Sequence, residues 1–245
     1  MLQNYTLYNG TLAEIHSGKV LINTINAHSF NTVGIDPKFQ SALLKSDVLL
    51  PDGVSVVWAT RFLTGKKIEK VAGADLFFYE MERVSKMGGK CFFLGSTDET
   101  LEKIKNRAAK EFPSVEVFSY SPPYKAEFSK EDNLLMKEKI NAVKPDVLFV
   151  GMTAPKQEKW AAMLFDDLEV GHVCCVGAVF DFYAGTVKRA PKWMIYFGLE
   201  WFYRLSKEPG RMWRRYLIGN TKFVSSIFKE KMRSDNGMFA NEFSR

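Results

Sequence analysis

Short runs of apolar residues alternate along this chain with longer segments in which apolar residues recur every three or four positions. A short run bounded by turn residues is typical of a buried strand, and the longer period is typical of a helix with one buried face. The apolar runs predict strands at residues 20–26, 47–50, 90–97, 115–118, 147–150 and 173–180. The helical periodicity predicts helices at residues 27–46, 54–62, 76–87, 98–112 and 130–143.

Strands and helices alternate regularly between residues 90 and 185, which predicts parallel strands joined by helical crossovers. The predicted fold class is therefore α/β, with a Rossmann-like, mostly parallel sheet that carries helices on both faces. A composition break near residue 190 divides the chain. We expect an α/β domain at 1–189, a helical basic-aromatic appendage at 190–233 and a disordered tail at 234–245.

The chain's net positive charge is concentrated in the appendage and the few residues before it. Residues 186–233 hold twelve Lys or Arg and three Glu, a net charge of +9, whereas the whole chain has a net charge of +6. Three Trp and several Phe and Tyr are interleaved with these charges. A charge run is usually a solvated face, but this pairing with aromatic rings suits an anionic interface, either a membrane surface or a nucleic acid.

Composition limits which cellular compartment and which kinds of cysteine site are expected. The chain has 245 residues, of which 46% are hydrophobic, enough for one large α/β domain and an appendage. Its three cysteines lie in apolar strand-like runs, so neither a disulfide framework nor a zinc site is indicated. We expect a cytoplasmic protein, because the start lacks a signal peptide and no run is long enough to span a bilayer.

Polar residues follow two of the predicted strands and are expected to share one edge of the sheet. Thr24 and Asn26 end the first strand, and Asp52 follows the second within a Pro-Asp-Gly turn. An Asp-Gly pair by itself is typical of a plain turn. At the carboxyl edge of an open sheet, however, a carboxylate lies where ligands bind and can act as a general base toward a hydroxyl group.

Further candidates lie in three other turns. Gly95 and Ser96 connect a strand to a helix and suit a phosphate group, although Ser96 or Thr97 can equally be a plain helix cap. Gln157 and Glu158 open a helix after the strand at 147–150, where Glu is also common for its favourable interaction with the helix dipole. Asp181 is placed at the end of the strand predicted at 173–180, where a buried charge needs a partner.

The sequence indicates neither a metal site nor a Ser-His-Asp catalytic triad. The three histidines, His16, His28 and His172, are scattered, with no metal-ligand spacing and no Ser-His-Asp pattern. We therefore expect no metal site and no cofactor, although His28 can line a ligand pocket.

Several short motifs, taken in chain order, resemble those of the WecG/TagA/CpsF glycosyltransferases over about residues 20–225. No single motif is decisive, but their joint order and spacing are specific. They are Thr24-Ile-Asn26, Leu50-Pro-Asp-Gly53, Val71-Ala-Gly-Ala-Asp75, Phe93-Leu-Gly-Ser96, Ala154-Pro-Lys-Gln-Glu158, Phe180-Asp-Phe182, Arg189-Ala-Pro191 and Gly198-Leu-Glu-Trp201, followed by Arg204, Glu208-Pro209, Arg211 and Arg214-Arg215-Tyr216.

The resemblance implies a metal-independent, inverting transferase. Such enzymes move a sugar from a UDP donor to a polyprenyl-diphosphate-linked acceptor during synthesis of teichoic-acid linkage units, enterobacterial common antigen or exopolysaccharide. Asp52 would be the base, with Thr24 as the second candidate catalytic residue. The remaining candidates would bind substrate, and they are Asn26, Lys70, Gly95, Ser96, Gln157, Glu158, Asp181, Arg204, Arg211, Arg214 and Arg215. The family often has Arg where this chain has Lys70, so only a point-charge contact with phosphate is expected there.

The resulting hypothesis is a UDP-sugar glycosyltransferase, peripheral on the cytoplasmic face of the membrane, acting on N-acetylmannosamine or a related hexose or uronic acid. Its partners would be the UDP-sugar, the lipid-linked saccharide and an anionic membrane surface, and homo-oligomerisation stays open. Two alternatives remain at this stage. One is a nucleic-acid-binding protein that uses the basic appendage, and the other is a non-catalytic nucleotide-sugar sensor.

Overall fold

The computed structural model describes residues 2–242, except for the side chains at positions 192, 211 and 235–242. The described residues contain six strands, namely β1 (Val20–Ile25), β2 (Val48–Pro51), β3 (Lys90–Gly95), β4 (Glu116–Tyr120), β5 (Val147–Gly151) and β6 (His172–Cys175). They form one sheet in the order β2-β1-β6-β5-β3-β4, in which every neighbouring pair is parallel. The predicted Rossmann-like α/β fold is therefore confirmed.

Helices connect these strands and follow the last one. The first group is α1 (Ala27–Val33), α2 (Pro37–Leu44), α3 (Val54–Thr64), α4 (Gly73–Met87), α5 (Asp98–Glu111), α6 (Lys130–Val143) and α7 (Lys156–Leu164). The second group is α8 (Val179–Ala184), α9 (Lys192–Tyr196), α10 (Glu200–Lys207), α11 (Pro209–Trp213) and α12 (Gly219–Glu242). A π-helical turn, Arg214–Ile218, joins α11 to α12.

Successive residues of the strands point into two different apolar layers. In β3, Cys91 and Phe93 pack with residues of α4, α5 and α8, whereas Phe92 and Leu94 pack with residues of α6 and α7. This alternation follows from the two-residue period of a strand. Because both faces of the sheet are covered, the strands are apolar on both sides, which explains their uninterrupted hydrophobic runs.

The helical region predicted at 27–46 consists of two separate helices, α1 and α2, divided near Gly34 and Pro37. Asn26 caps α1, and its side chain accepts hydrogen bonds from the backbone amides of His28 and Ser29. Asp36 caps α2 through the amide of Phe39. These two caps satisfy amide groups that a helix start leaves without partners.

The strand predicted at 173–180 is wrong in its second half. β6 ends at Cys175, and the chain then turns at Gly177, whose φ of +57° is a left-handed conformation that favours glycine. Residues 179–184 form α8, so Asp181 lies in the first turn of a helix and not at the end of a strand. The apolar run misled the interpretation because Val179, Phe180 and Tyr183 of this short helix are buried as completely as strand residues.

The last helix is docked on the α/β body. Phe223 and Ile227 of α12 are fully buried in a cluster with residues of α1, α2 and α3. Glu230 is also buried, and its two carboxylate oxygens accept hydrogen bonds from the backbone amides of Leu2 and Gln3, each at 3.0 Å. Helix α12 is thereby tied to the first residues that the structure describes.

Of the predicted tail at 234–245, residues 243–245 and the side chains of 235–242 lie outside what the structure describes. The backbone of α12 continues to Glu242. The division into a body at 1–189 and an appendage at 190–233 stays a prediction. In the described part of the chain, no helix is long and apolar enough to cross a bilayer.

Candidate active site

The sheet topology creates a crevice at the carboxyl ends of β3 and β5. These strands are neighbours, but α5 leads from β3 outward to β4, while α7 leads from β5 in the opposite direction to β6. Such a reversal leaves a ligand-binding space between the two crossovers. A cleft of about 2740 Å³ opens here, and it is lined by every predicted site residue whose side chain is described. The side chain of Arg211 lies outside the described residues.

Asp52 and Asn26 meet at the wall of this cleft. The side-chain oxygen of Asn26, Oδ1, accepts hydrogen bonds from the backbone N–H groups of His28 and Ser29, each at 3.0 Å. The side-chain nitrogen of Asn26, Nδ2, must therefore point the other way. That nitrogen donates to an Asp52 carboxylate oxygen at 3.5 Å. The capping role of Asn26 thus fixes its orientation and directs an N–H group at the carboxylate.

The surroundings of Asp52 favour a stronger base than an ordinary aspartate. Burial is the main cause that raises the pKa of its carboxyl above the usual range, and the nearby Glu200 carboxylate raises it further. Arg204, the hydrogen bond from Asn26 and Lys70 oppose this change by stabilising the ionised form. An ionised carboxylate with a raised pKa is suited to accept a proton from a hydroxyl group.

Thr24 lies beside this pair because of the strand register. β1 pairs with β2 so that Thr24 is opposite Leu50, and the amide of Asp52 donates to the carbonyl of Ile25 at 2.9 Å. The half-buried Thr24 therefore lines the cleft next to the strand end from which Asp52 projects.

Gln157 and Glu158 open α7 and are both almost fully buried, with exposed fractions of 3% and 2%. The Gln157 amide nitrogen donates to a Glu158 carboxyl oxygen at 2.9 Å. The Gln157 carbonyl oxygen and the second Glu158 oxygen have no hydrogen-bond partner. Burial raises the pKa of Glu158 to about 7. Buried polar atoms without partners are costly, and at a cleft wall they indicate a place for a ligand.

The turn after β3 brings backbone close to the cleft. Gly95 has a φ of +120°, and a Cβ atom there would lie 2.5 Å from the carbonyl oxygen of Gly151, so only glycine fits. Ser96 also has a positive φ, and its carbonyl oxygen accepts from the Ser121 hydroxyl at 2.8 Å. The cap of α5 is Thr97, whose hydroxyl accepts from the amide of Thr100. Ser96 is consequently left at the cleft wall.

Residues near and within the appendage also line the cleft. The Arg204 guanidinium lies over the ring of Phe182, 5.0 Å from its centroid, and donates to Glu200 at 3.1 Å. The Arg189 guanidinium nitrogen lies 3.9 Å from the same Glu200 oxygen. Asp181 is half-buried on α8, and its backbone carbonyl accepts from the Thr186 hydroxyl at 3.0 Å.

Arg214 and Arg215 reach the cleft from the π-helical turn. The Arg215 charge and burial together lower the pKa of His28 to about 4, burial being the larger cause. His28 is therefore neutral at physiological pH and can serve only as a neutral hydrogen-bonding group. In the part of the chain that the structure describes, no three His, Cys, Asp or Glu side chains cluster in a way that could hold a metal ion.

Sequence reasoning assigned no role to Glu200, Arg189 or Phe182. Arg189 and Glu200 were visible in the motifs at 189–191 and 198–201, but the contacts of Glu200 with Arg189 and Arg204 depend on the fold. Chemically, the cleft combines one activated carboxylate, several buried hydrogen-bonding groups and a wall of arginines. This combination can deprotonate a hydroxyl group while it holds an anionic leaving group.

The known proteins to which this chain is similar include two that are described as glycosyltransferases of one kind. Residues 5–237 match the model of the glycosyl transferase WecG/TagA/CpsF family. An N-acetylglucosaminyldiphosphoundecaprenol N-acetyl-beta-D-mannosaminyltransferase of Bacillus spizizenii is 33% identical over 204 residues, which cover 81% of this chain and 75% of that protein. A protein of the same description from Bacillus subtilis is 29% identical over 211 residues, covering 86% of this chain and 80% of that protein.

Proposed function

Since this chain belongs to the WecG/TagA/CpsF family of glycosyltransferases, we propose that it transfers N-acetylmannosamine or a closely related sugar from a UDP donor to a polyprenyl-diphosphate-linked saccharide. The acceptor class is supported by the names of both relatives, which specify an N-acetylglucosaminyldiphosphoundecaprenol. The observation that carries the proposal is the Asn26–Asp52 pair in a cleft walled by arginines.

The proposed reaction is a single inverting displacement with Asp52 as the base. Asp52 takes the proton from an acceptor hydroxyl while that oxygen forms a bond to C1 of the donor sugar. The bond between C1 and the diphosphate oxygen breaks on the opposite side, and the electron pair leaves with UDP. Because attack and departure lie on opposite faces, the configuration at C1 inverts.

The departing diphosphate needs positive charge, which the appendage and Lys70 would supply. Arg204, Arg214 and Arg215 line the cleft together with Lys70. Arginine is suited to bidentate contacts with phosphate, and Lys70 offers a point charge. We propose that Thr24, Asn26, Gln157 and Glu158 hold the sugar, that Asp181 contacts the nucleotide, and that Gly95 and Ser96 approach the nucleotide through the backbone. Arg211 is proposed as a further phosphate contact.

We propose a peripheral location at the cytoplasmic face of the membrane, because the polyprenyl chain of the proposed acceptor lies in the bilayer and we expect the protein itself to be cytoplasmic. The appendage exposes Trp193, Tyr196 and Phe197 beside its basic residues. Aromatic and basic side chains together favour binding to an anionic membrane surface.

The direct test is sugar transfer to a polyprenyl-diphosphate-linked N-acetylglucosamine from a mixture of UDP-sugars, with mass spectrometry of the lipid product. We expect one added N-acetylhexosamine and release of UDP. Absence of transfer from every UDP-sugar offered would contradict the proposal.

Asp52→Asn tests the assigned base, because it keeps the shape of the side chain and removes its basicity. We expect turnover to fall by roughly 10²–10⁴-fold with little change in folding stability. The matched control is Asp166→Asn, which changes an exposed carboxylate and should leave turnover unchanged. Turnover of Asp52→Asn close to that of the unchanged protein would show that another group is the base.

A further inference from the structure

Three charged side chains of the cleft meet at a single carboxylate oxygen. A terminal guanidinium nitrogen of Arg204 donates to Oε1 of Glu200 at 3.1 Å, and Nε of Arg189 lies 3.9 Å from the same oxygen. All three side chains line the cleft, and their exposed fractions lie between 21% and 32%. A half-buried carboxylate that contacts two guanidinium groups fixes where both of them lie.

The two arginines keep hydrogen-bond donors that the described residues do not satisfy. Nε of Arg189 and Nε of Arg204 are both buried, and neither has a hydrogen-bond partner among the described residues. Glu200 accepts from only one of the several N–H groups of Arg204. Buried donors without partners are costly, and in a cleft they indicate a place for an acceptor. A diphosphate offers several charged oxygen acceptors of the kind that guanidinium groups bind.

Arg204 is also held from the side of the body. Its guanidinium lies 5.0 Å from the ring centroid of Phe182. Phe182 belongs to α8, and Arg189 follows that helix in the chain, whereas Glu200 and Arg204 lie on α10. Glu200 therefore joins an arginine of the predicted body to an arginine of the predicted appendage.

We propose that Arg189 is a further ligand of the donor diphosphate, and that Glu200 is a positioning residue that holds Arg189 and Arg204 together as one diphosphate site. The inference rests on the proposed function, in which UDP is the leaving group. A purely structural ion-pair cluster explains the geometry less well, because it would leave both Nε–H groups buried without an acceptor.

Glu200 also acts on the proposed base. Burial is the main cause that raises the pKa of Asp52, and the Glu200 charge raises it further, while Arg204, the hydrogen bond from Asn26 and Lys70 lower it. The same carboxylate therefore holds groups proposed to bind the leaving diphosphate and strengthens the group proposed to deprotonate the acceptor. The first effect depends on an oxygen acceptor and the second on a negative charge, so substitutions can separate them.

The first experiment measures UDP binding by titration calorimetry. Glu200→Ala should weaken it roughly tenfold, because the guanidinium groups lose the acceptor that positions them. Glu200→Gln keeps an oxygen that accepts from Arg204 and should weaken UDP binding by less than about threefold. The matched control is Glu99→Ala, which removes an exposed glutamate from the first turn of α5 and its ion pair with Lys103 four residues later. It should leave UDP binding unchanged.

The second experiment tests whether Arg189 contacts phosphate. Arg189→Gln should weaken UDP binding roughly tenfold and leave the affinity for uridine, which carries no phosphate, unchanged. Arg61→Gln, which changes an exposed arginine on α3, is the control and should alter neither affinity. A general distortion of the cleft would instead weaken UDP and uridine alike.

The third experiment records kcat/KM against pH for Glu200→Gln. Asp52 must be ionised to accept a proton, so the rate falls as pH decreases through its pKa. Removing the Glu200 charge stabilises the ionised form of Asp52, and the acid limb of the profile should therefore move to lower pH. The limb should not move in Glu99→Gln. A merely structural role of Glu200 would not shift the limb either.

The outcomes separate this inference from the proposed function. If Arg189→Gln and Glu200→Ala bind UDP as tightly as the unchanged protein while that protein transfers sugar, the diphosphate site is wrong and the function stands. An unmoved acid limb in Glu200→Gln would overturn the action of Glu200 on the base. If both variants lose UDP affinity as expected but no UDP-sugar supports transfer, the function is wrong and the diphosphate site remains. Should Glu200→Ala fail to fold, Arg189→Gln and Glu200→Gln still decide the two roles.

Discussion

At the scale of single residues, Glu158 determines which side-chain atom of Gln157 is available to a ligand. It accepts a hydrogen bond from the Gln157 amide nitrogen, so the carbonyl oxygen of Gln157 is the atom left without a partner. An oxygen acceptor suits a hydroxyl or an amide N–H of a sugar and disfavours a phosphate oxygen. The polarity of this contact supports the proposed assignment of Gln157 to the sugar.

Glu158 should also make the stability of the protein depend on pH. Its pKa rises from the ordinary 4.5 to about 7 on folding, so between these values the unfolded chain is ionised while the folded protein keeps the proton. The free energy of unfolding therefore falls as pH rises through this window and levels off above about pH 7. The total decrease is about 3 kcal/mol at most. Chemical denaturation of Glu158→Gln should show a gain over the unchanged protein that grows from pH 4.5 to pH 8. A difference that is constant over this range would contradict the assignment.

At the scale of elements, α12 is both part of the core and part of the cleft. Phe223 and Ile227 point into the body, Glu230 holds the N-terminal turn, and Ser225 and Lys229 line the cleft. The basic segment that composition singled out thus contributes buried contacts. Composition could not reveal them, because two buried residues among many charged ones barely alter a charge count.

Phe223→Ala should measure how firmly α12 is docked. The side chain is fully buried, so its removal should lower the free energy of unfolding by about 3–5 kcal/mol through lost contacts and a residual cavity. Urea denaturation at fixed protein concentration provides the measurement, with Tyr124→Ala, a fully exposed position, as control. A loss below about 1 kcal/mol would show that α12 does not belong to the core.

At the scale of the whole molecule, the cleft is lined both by the α/β body and by the basic appendage. The body provides Asp52, Asn26 and the buried Gln157–Glu158 pair, and the appendage provides the arginine wall. Glu200 and Arg204 of the appendage both act on the Asp52 carboxyl of the body, the first raising its pKa and the second lowering it. The activity of the proposed base therefore depends on the position of the appendage.

Because arginines can hold the departing diphosphate, we expect turnover to persist in excess EDTA. The sequence has no D-x-D pair, and Asp52 and Asp181 belong to different elements. Initial rates with and without chelator, on protein purified without added metal, are the measurement. Loss of activity in EDTA, with recovery on addition of Mg²⁺ or Mn²⁺, would show that a cation performs this role.

The sequence by itself determined the layered α/β fold and the edge at which the site lies. Strands buried on both sides read as continuous apolar runs, and polar residues that follow parallel strands must share one edge of the sheet. Thr24, Asn26 and Asp52 could be grouped on this basis. Asp181 was grouped with them for a reason that proved wrong, since it lies on α8, although it still lines the cleft.

Only the tertiary structure decided the details on which the chemistry depends. The orientation of the Asn26 amide, the partner of Gln157 and the influence of Glu200 on Asp52 arise from contacts between distant segments. Local patterns do not encode such contacts, because hydrogen-bond direction and desolvation depend on which surfaces meet after folding. The same reason explains why the charge of the appendage was evident from the sequence and the docking of α12 was not.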